Sequence, residues 1–173
     1  MVQSRRALLF GVVQNTAIPD SAAIMVKAFS FRDDPNVPPF EDHAPVAVMD
    51  AECAFCSWSA RLLHRLDKSG EVRICPIQSP LGAALARHYG LDPSDPASWL
   101  FLDEGRPFVD LEAVIRAGQR IGGWARLTVL FRVFPRPMRN RLYQAVARNR
   151  YRLFGKADMC ALPDPRFQKR LLQ

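Results

Sequence analysis

The chain has 173 residues, of which 49% are apolar and 24% charged, and its formal net charge is +7. This balance is ordinary for one globular domain with a sizeable core, and no apolar run approaches the roughly 18 residues that a membrane-spanning helix requires. Four cysteines in a chain of this length do not make the disulfide framework of a small secreted protein. We therefore expect a soluble protein in a reducing compartment.

The first 42 residues contain no periodic apolar face. Arg5 and Arg6 precede the apolar run ALLFGVV, which imitates a signal peptide, but the run is short and polar residues follow it at 14 and 15. Met25 is an alternative start of the protein, because a polar, proline-rich stretch follows it. We predict a flexible N-terminal extension over residues 1–42 and a cytoplasmic location.

Regular structure is predicted from residue 45 onwards. Short apolar runs bounded by turn residues predict four strands, at 46–49, 71–77, 99–102 and 107–110. Helical spacing and terminal glycines or prolines predict three helices, at 53–69, 80–89 and 110–121. The order β-α-β-α-β-β-α is that of a thioredoxin-like α/β domain, which we assign to residues 43–123.

Residues 124–173 are predicted to add helices that pack on this core. The run WARLTVLFRVF (124–134) has too much apolar surface to stand exposed. The segment Arg136–Lys156 carries seven basic residues and no acidic one. A solvated helix face is the default interpretation, a weak contact with an anionic membrane is the alternative, and no motif supports nucleic-acid binding.

Two cysteines, Cys53 and Cys56, lie three positions apart where the first strand gives way to the first helix. Free backbone N–H groups and the helix dipole stabilise a thiolate at that position, and Cys56 lies one turn later on the same side. A Cys-x-x-Cys pair in this setting is typical of a redox couple. The acidic neighbours Asp50 and Glu52 oppose the thiolate.

Two other interpretations of the cysteines stay open. Zinc needs four ligands, which Cys53, Cys56, Cys75 and Cys160 could supply, although the last two are 85 positions apart. The cysteines could also be buried structural residues. The alternative to a redox enzyme is therefore a structural zinc-binding or protein-interaction domain without catalytic turnover.

Three motifs of the chain belong together: Asp50, Cys53 and Cys56, then PIQSPLG at 76–82, and RLFGKADMCALP at 152–163. In combination they resemble the DCC family of predicted thiol–disulfide oxidoreductases, whose first motif is D-G-x-C-x-x-C. The resemblance covers about residues 44–163 and implies thioredoxin-like redox chemistry. Ala51 stands where the family usually has glycine, so a turn that needs positive φ there would be strained by about 1 kcal/mol.

Further candidate site residues follow from position and from the resemblance. Asp50 could accept a proton near the second cysteine, and Gln78, Ser79 and Pro80 could line a substrate site or simply start the next helix. Pro96 is the nearest candidate for the proline that thioredoxin-like folds place opposite the cysteine pair. Trp58 could flank a substrate groove, but its place on the apolar helical face favours core packing.

We interpret the chain as a thiol–disulfide oxidoreductase that uses Cys53 and Cys56 and exchanges disulfides with a protein or small-thiol partner. We expect neither a cofactor nor a metal ion. The basic segment and the terminal motif lead to one further hypothesis. The C-terminal segment folds back over the site, which would bring Arg152 or Lys156 near Asp50 and would place Cys160 within reach of Cys53 as a third redox thiol.

Overall fold

The computed structural model describes residues 26–94, 99–161 and 164–172. The strands are β1 (Val46–Met49), β2 (Arg73–Pro76), β3 (Leu100–Asp103) and β4 (Arg106–Val109). The α-helices are α1 (Ala54–Leu66), α2 (Pro80–His88), α3 (Asp110–Ile121), α4 (Arg136–Phe154) and the short α5 (Pro165–Gln168). Two 3-10 helices, Ser30–Asp33 and Gly123–Val133, complete the described elements.

The four strands form one mixed sheet in the order β2-β1-β3-β4. β1 is parallel to β2 and antiparallel to β3, and β3 and β4 form a hairpin. Parallel neighbours need a crossover connection, which α1 supplies, whereas Glu104 and Gly105 close the hairpin with φ of 51° and 71°. The predicted β-α-β-α-β-β-α order is confirmed, and the chain has a thioredoxin-like α/β fold.

Alternate residues of β1 face opposite sides of the sheet, as the pleat of a strand requires. Val46 and Val48 join a core that α2 completes, whereas Ala47 and Met49 join a core that includes residues of α1 and α3. All four strand residues are buried. β1 is therefore covered on both faces, and the cysteine loop follows its carboxyl end.

The described part of the predicted N-terminal extension packs on the core. Phe31 is 3% exposed and belongs to the core cluster on the α2 side, and Phe29 packs against that cluster. The backbone N–H of Phe29 donates to the carbonyl of Gly105 at 2.8 Å. Residues 26–42 are thus not a loose extension, and residues 1–25 lie outside the described chain. The short run of the sequence around Phe31 gave no periodic signal for this packing.

The predicted helix at 124–134 is a 3-10 helix, Gly123–Val133, and not an α-helix. It lies against α3 at Gly118, where a Cβ atom would stand 2.2 Å from Thr128 Oγ1 and 2.3 Å from the carbonyl oxygen of Ala125. The expectation that its apolar side chains are buried is wrong, because Trp124 is 84% and Val133 is 80% exposed. No helix in the described ranges is long and apolar enough to cross a membrane.

Candidate active site

The first cysteine caps the helix that carries the second. Cys53 is the N-cap residue of α1, with extended backbone, and its Sγ accepts the backbone N–H of Cys56 at 3.4 Å. Cys53 is fully buried, whereas Cys56 is partly exposed. Both cysteines are free thiols. As the capping residue, Cys53 places its Sγ at the positive end of the α1 dipole, where it accepts a helix N–H.

The surroundings of Cys56 favour its neutral thiol. Burial raises the pKa of Cys56 well above its ordinary value, and the charge and hydrogen bond of Cys53 raise it further. The guanidinium of Arg150 opposes this and lowers the Cys56 pKa, whereas Asp50 raises it. The two cysteines therefore differ in environment, with Cys56 held protonated through the neutral range.

Asp50 follows β1 and is the centre of a buried hydrogen-bond network. Its Oδ1 accepts Gln78 Nε2 at 2.7 Å and the backbone N–H of Glu52 at 3.0 Å. Its Oδ2 accepts Arg150 at 2.8 Å and the hydroxyl of Tyr151. These four donors use the acceptor positions of a carboxylate. Asp50 thereby ties the cysteine loop to α4 and to the turn before α2.

The Asp50–Arg150 ion pair is almost completely removed from water. The side chains of the two residues are 1% and 7% exposed, and they are 100 positions apart in the chain. Tyr151 donates to the same carboxylate, and burial together with this hydrogen bond raises the pKa of Tyr151 to about 12. Helix α4 thus delivers a cation and a phenol to the end of β1.

Residues 155–159, which we call the strap, cross over the cysteine loop. Lys156 forms an antiparallel bridge with Cys53. Ala54 donates its N–H to the carbonyl of Gly155 at 3.2 Å, Ala157 donates to Glu52 at 3.0 Å, and Met159 donates to Ala51 at 2.8 Å. The strap is the reason why Cys53 is buried although it lies at the end of a surface helix.

An apolar cleft lies beside the second cysteine, between α1, α3, the 3-10 helix Gly123–Val133 and α4. Its volume is about 450 Å³, and Asp50, Cys56 and Arg150 contribute to its wall. The remaining lining is mostly apolar and includes Phe55, Trp58, Leu62, Val114, Leu142 and Val146. A concave apolar site with a few convergent polar groups is the usual form of a ligand site.

Comparison with known proteins identifies the family of this chain. The model of the DCC1-like thiol-disulfide oxidoreductase family matches residues 47–156, a range that contains both cysteines, Asp50 and the whole of α4. The chain belongs to this family. The uncharacterized protein YuxK of Bacillus subtilis (strain 168) is 32% identical over 127 residues, which are 73% of this chain and 93% of YuxK.

A second relative is the DCC family protein At1g52590, chloroplastic, of Arabidopsis thaliana. It is 29% identical over 123 residues, or 70% of this chain and 72% of that protein. No solved structure matches the chain. Family membership indicates a redox role with a thiol or disulfide partner, and neither of the two relatives has a name that states a substrate.

In this DCC1-like chain the predicted residues of the turn before α2 divide into two groups. Gln78 reaches the site, because its Oε1 accepts the N–H of Ala51 at 3.0 Å while its amide donates to Asp50. Ser79 caps α2 by accepting the N–H of Gly82 at 3.0 Å, and Pro80 is the first residue of that helix. Ser79 and Pro80 therefore start helix α2, which is the structural alternative to a role in a substrate site. Pro96 lies outside the described residues.

The alanine that replaces the family's glycine causes no backbone strain. Ala51 is not among the described non-glycine residues with positive φ, which are Phe29, Glu104 and Asp110. It is buried at 5% exposure, and its N–H and carbonyl both have partners, Gln78 and Met159. Alanine is tolerated at position 51 because the backbone there has a conformation that any residue can adopt.

The other two cysteines lie apart from each other. Cys75 is buried in the core cluster on the α2 side, and burial raises its pKa to about 11. Cys160 packs against the cluster on the opposite face of the sheet, and its N–H donates to Asp158 at 2.8 Å. Within the described ranges, no three His, Cys, Asp or Glu side chains are grouped as metal ligands. The four cysteines thus do not form the zinc site considered from the sequence.

Sequence reasoning missed two residues of the site, Arg150 and Tyr151, and wrongly favoured core packing for Trp58. Arg150 and Tyr151 contact Asp50, whereas the sequence hypothesis named Arg152 or Lys156. Arg150 shares the buried face of α4 with Arg139 and Ala147, but helical spacing alone does not tell which face of α4 is buried. Trp58 is 53% exposed at the cleft and stacks on Phe55, so core packing of Trp58 is wrong.

Proposed function

We propose that this chain is a thiol–disulfide oxidoreductase in which Cys53 and Cys56 alternate between a dithiol and a disulfide. The asymmetry of the pair carries the proposal. Cys53 Sγ accepts an N–H in the first turn of α1, where negative charge is stabilised, whereas burial raises the pKa of Cys56. Cys53 accordingly supplies the nucleophile, and Cys56 keeps its proton until the second step.

The reaction consists of two exchanges. The Cys53 thiolate attacks one sulfur of a partner disulfide, the S–S bond of the partner breaks, and the leaving sulfur departs as a thiolate that takes up a proton. Cys56 then loses its proton and attacks Cys53 Sγ in the mixed disulfide, which releases the second partner sulfur. The chain gains a Cys53–Cys56 disulfide, and the partner gains two electrons. The reverse sequence oxidises a partner dithiol.

Asp50 takes part in the proposed reaction as a positioning residue. All four of its acceptor positions are occupied, so direct acceptance of the Cys56 proton, as predicted from the sequence, requires one donor to leave. The Asp50 carboxylate instead holds Arg150, whose charge lowers the Cys56 pKa. Removal of this cation therefore disfavours the second step.

The apolar cleft favours a protein partner over a small hydrophilic thiol. Cys56 contributes to the wall of the cleft, and Trp58, Leu62 and Leu142 leave between 38% and 62% of their surface exposed around it. Aliphatic or aromatic side chains that flank a partner disulfide would bury this surface, and each large side chain contributes about 1.5–3 kcal/mol when it is fully buried. Glutathione carries no such groups.

The experiment is a trapping assay. Cys56→Ser removes the resolving thiol, so the purified variant should accumulate a mixed disulfide with an oxidised protein substrate, visible on non-reducing gels. Cys53→Ser is the matched control and should trap none. Equal trapping by both variants would reverse or abolish the assigned roles, and one bound zinc per chain without a titratable dithiol would contradict the proposal as a whole.

The strap supplies a second measurement. Ala157→Pro removes the N–H that Ala157 donates to Glu52, whereas Ala157→Gly keeps it. Loss of one hydrogen bond, about 1 kcal/mol, should raise the population with an accessible Cys53 about fivefold. Alkylation of Cys53, followed by peptide mass spectrometry, should accelerate accordingly in the proline variant alone. An unchanged rate would show that the strap does not limit access to Cys53.

A further inference from the structure

The 3-10 helix Gly123–Val133 exposes one continuous row of apolar side chains. A 3-10 helix has three residues per turn, so residues three apart lie directly above one another. This places Trp124, Leu127, Leu130 and Val133 in a single row, and they are 84%, 54%, 63% and 80% exposed. With a rise of about 2 Å per residue, the row is about 18 Å long. We call these four residues the apolar row.

The apolar row faces away from the core, because a different row of the same helix packs against α3. Ala125, Thr128 and Phe131 line the cleft, and Ala125 and Thr128 lie against Gly118 of α3. The exposed apolar surface continues into α4, where Met138 and Leu142 are 47% and 62% exposed and stand one turn apart on one side. Contiguous apolar surface of this kind marks an interaction site.

The segment of the chain that contains the apolar row carries charge of one sign. Residues 113–157 contain eleven basic side chains and no acidic one. Five of the eleven form ion pairs with acids from other segments: Arg116, Arg120, Arg132, Arg139 and Arg150. Four exposed arginines of this segment have no ion pair among the described residues. They are Arg126, in the helix of the apolar row, and Arg141, Arg148 and Arg152, which lie along one stripe of α4.

We propose that the apolar row and these four arginines form a docking face for an anionic lipid bilayer. The row enters the boundary between headgroups and acyl chains, with Trp124 at the interface, and the arginines bind lipid phosphates. A second copy of the chain would present the same positive charge, which opposes a symmetric contact between two such faces. The bilayer supplies both the apolar volume and the negative charge that this face lacks.

Co-sedimentation with vesicles tests the proposal. The full chain should bind vesicles of 30% phosphatidylglycerol in phosphatidylcholine, should bind pure phosphatidylcholine at least tenfold more weakly, and should be released as salt is raised. Leu130→Gln should weaken binding about tenfold, because it removes one apolar group from the row. The emission of Trp124, taken as the difference between wild type and Trp124→Phe, should shift to the blue on binding.

Charge position is tested with a matched pair. Arg126→Glu and Arg87→Glu change the net charge equally, but Arg87 is exposed on α2, on the other face of the sheet. Arg126→Glu should weaken binding about thirtyfold, and Arg87→Glu less than about threefold. Equal effects, absence of binding to either vesicle, or a dimer that dissociates in Leu130→Gln would overturn the proposal. So would capture of an acidic protein without vesicle binding. Vesicle binding involves no thiol reaction, so its outcome is independent of the proposed enzymatic function.

Discussion

Replacement of Arg150 by methionine tests the network around Asp50 most directly. The change keeps the length and apolar stem of the side chain but removes the cation that lies 2.8 Å from Asp50. The Asp50 carboxylate, 1% exposed, would remain buried with Gln78, Tyr151 and the Glu52 N–H as partners. Breaking one partner of a buried ion pair costs about 3–5 kcal/mol.

For a domain of this size, each kcal/mol corresponds to about 2–4 °C in melting temperature. Arg150→Met should therefore lower the melting temperature, followed by circular dichroism, by about 6–20 °C. Arg152→Met is the matched control, because Arg152 is an exposed arginine of the same helix without an ion pair among the described residues, and it should shift the temperature by less than about 2 °C.

The same variant should change thiol chemistry in a known direction. Arg150 lowers the Cys56 pKa, so its removal raises that pKa and should slow Cys56 alkylation at pH 8–9. Asp50→Asn added to Arg150→Met removes the unpaired charge and should restore part of the lost stability. A single variant as stable as wild type, or a double variant less stable than the sum of both single losses, would refute the assignment of this pair as the anchor of α4.

Two further predictions concern the opposite side of the sheet. Phe31→Ala should destabilise the chain by about 3–5 kcal/mol in urea unfolding, because Phe31 is buried in the core. The control Asn36→Ala should have little effect, because Asn36 is exposed. A small loss of stability in Phe31→Ala would support the prediction from the sequence that the core begins after residue 42. Burial raises the pKa of Cys75 from 9.0 to about 11. The stability that this shift contributes is fully present below pH 9 and is lost as pH rises through 11. The free energy of unfolding should therefore fall over this pH range, and it should fall less in Cys75→Ala.

The order of strands and helices along the chain and the place of the cysteine pair were predictable because both depend on local sequence. β1 is a four-residue apolar run, and the break at Asp50 with helical spacing after it puts Cys53 at a helix start. The place of Gln78 beside the end of β1 follows from the same local signals, because the ends of parallel strands meet at one edge of a sheet.

The partner of Asp50 was not predictable by the same reasoning. Seven basic residues lie between Arg136 and Lys156, and net charge does not distinguish them. Only the direction in which α4 packs decides that Arg150 faces inward and Arg152 outward. The prediction that the apolar run 124–134 is buried was wrong for a related reason. Composition predicted a buried helix, but packing against Gly118 admits one row of its side chains and leaves the next row in solvent.

The predicted division at residue 123 separates groups that the site requires together. A chain that ended there would keep Cys53, Cys56 and Asp50 but would lose the Arg150 cation and the strap. Asp50 would then be left without its charge partner, and Cys53 would be open to solvent on the side that Lys156 covers. The family match runs from residue 47 to residue 156, so it also extends past residue 123 and includes Arg150 and Lys156. Helix α4 and the strap therefore belong to the same structural unit as the cysteine pair, because the electrostatics of Cys56 and the burial of Cys53 depend on them.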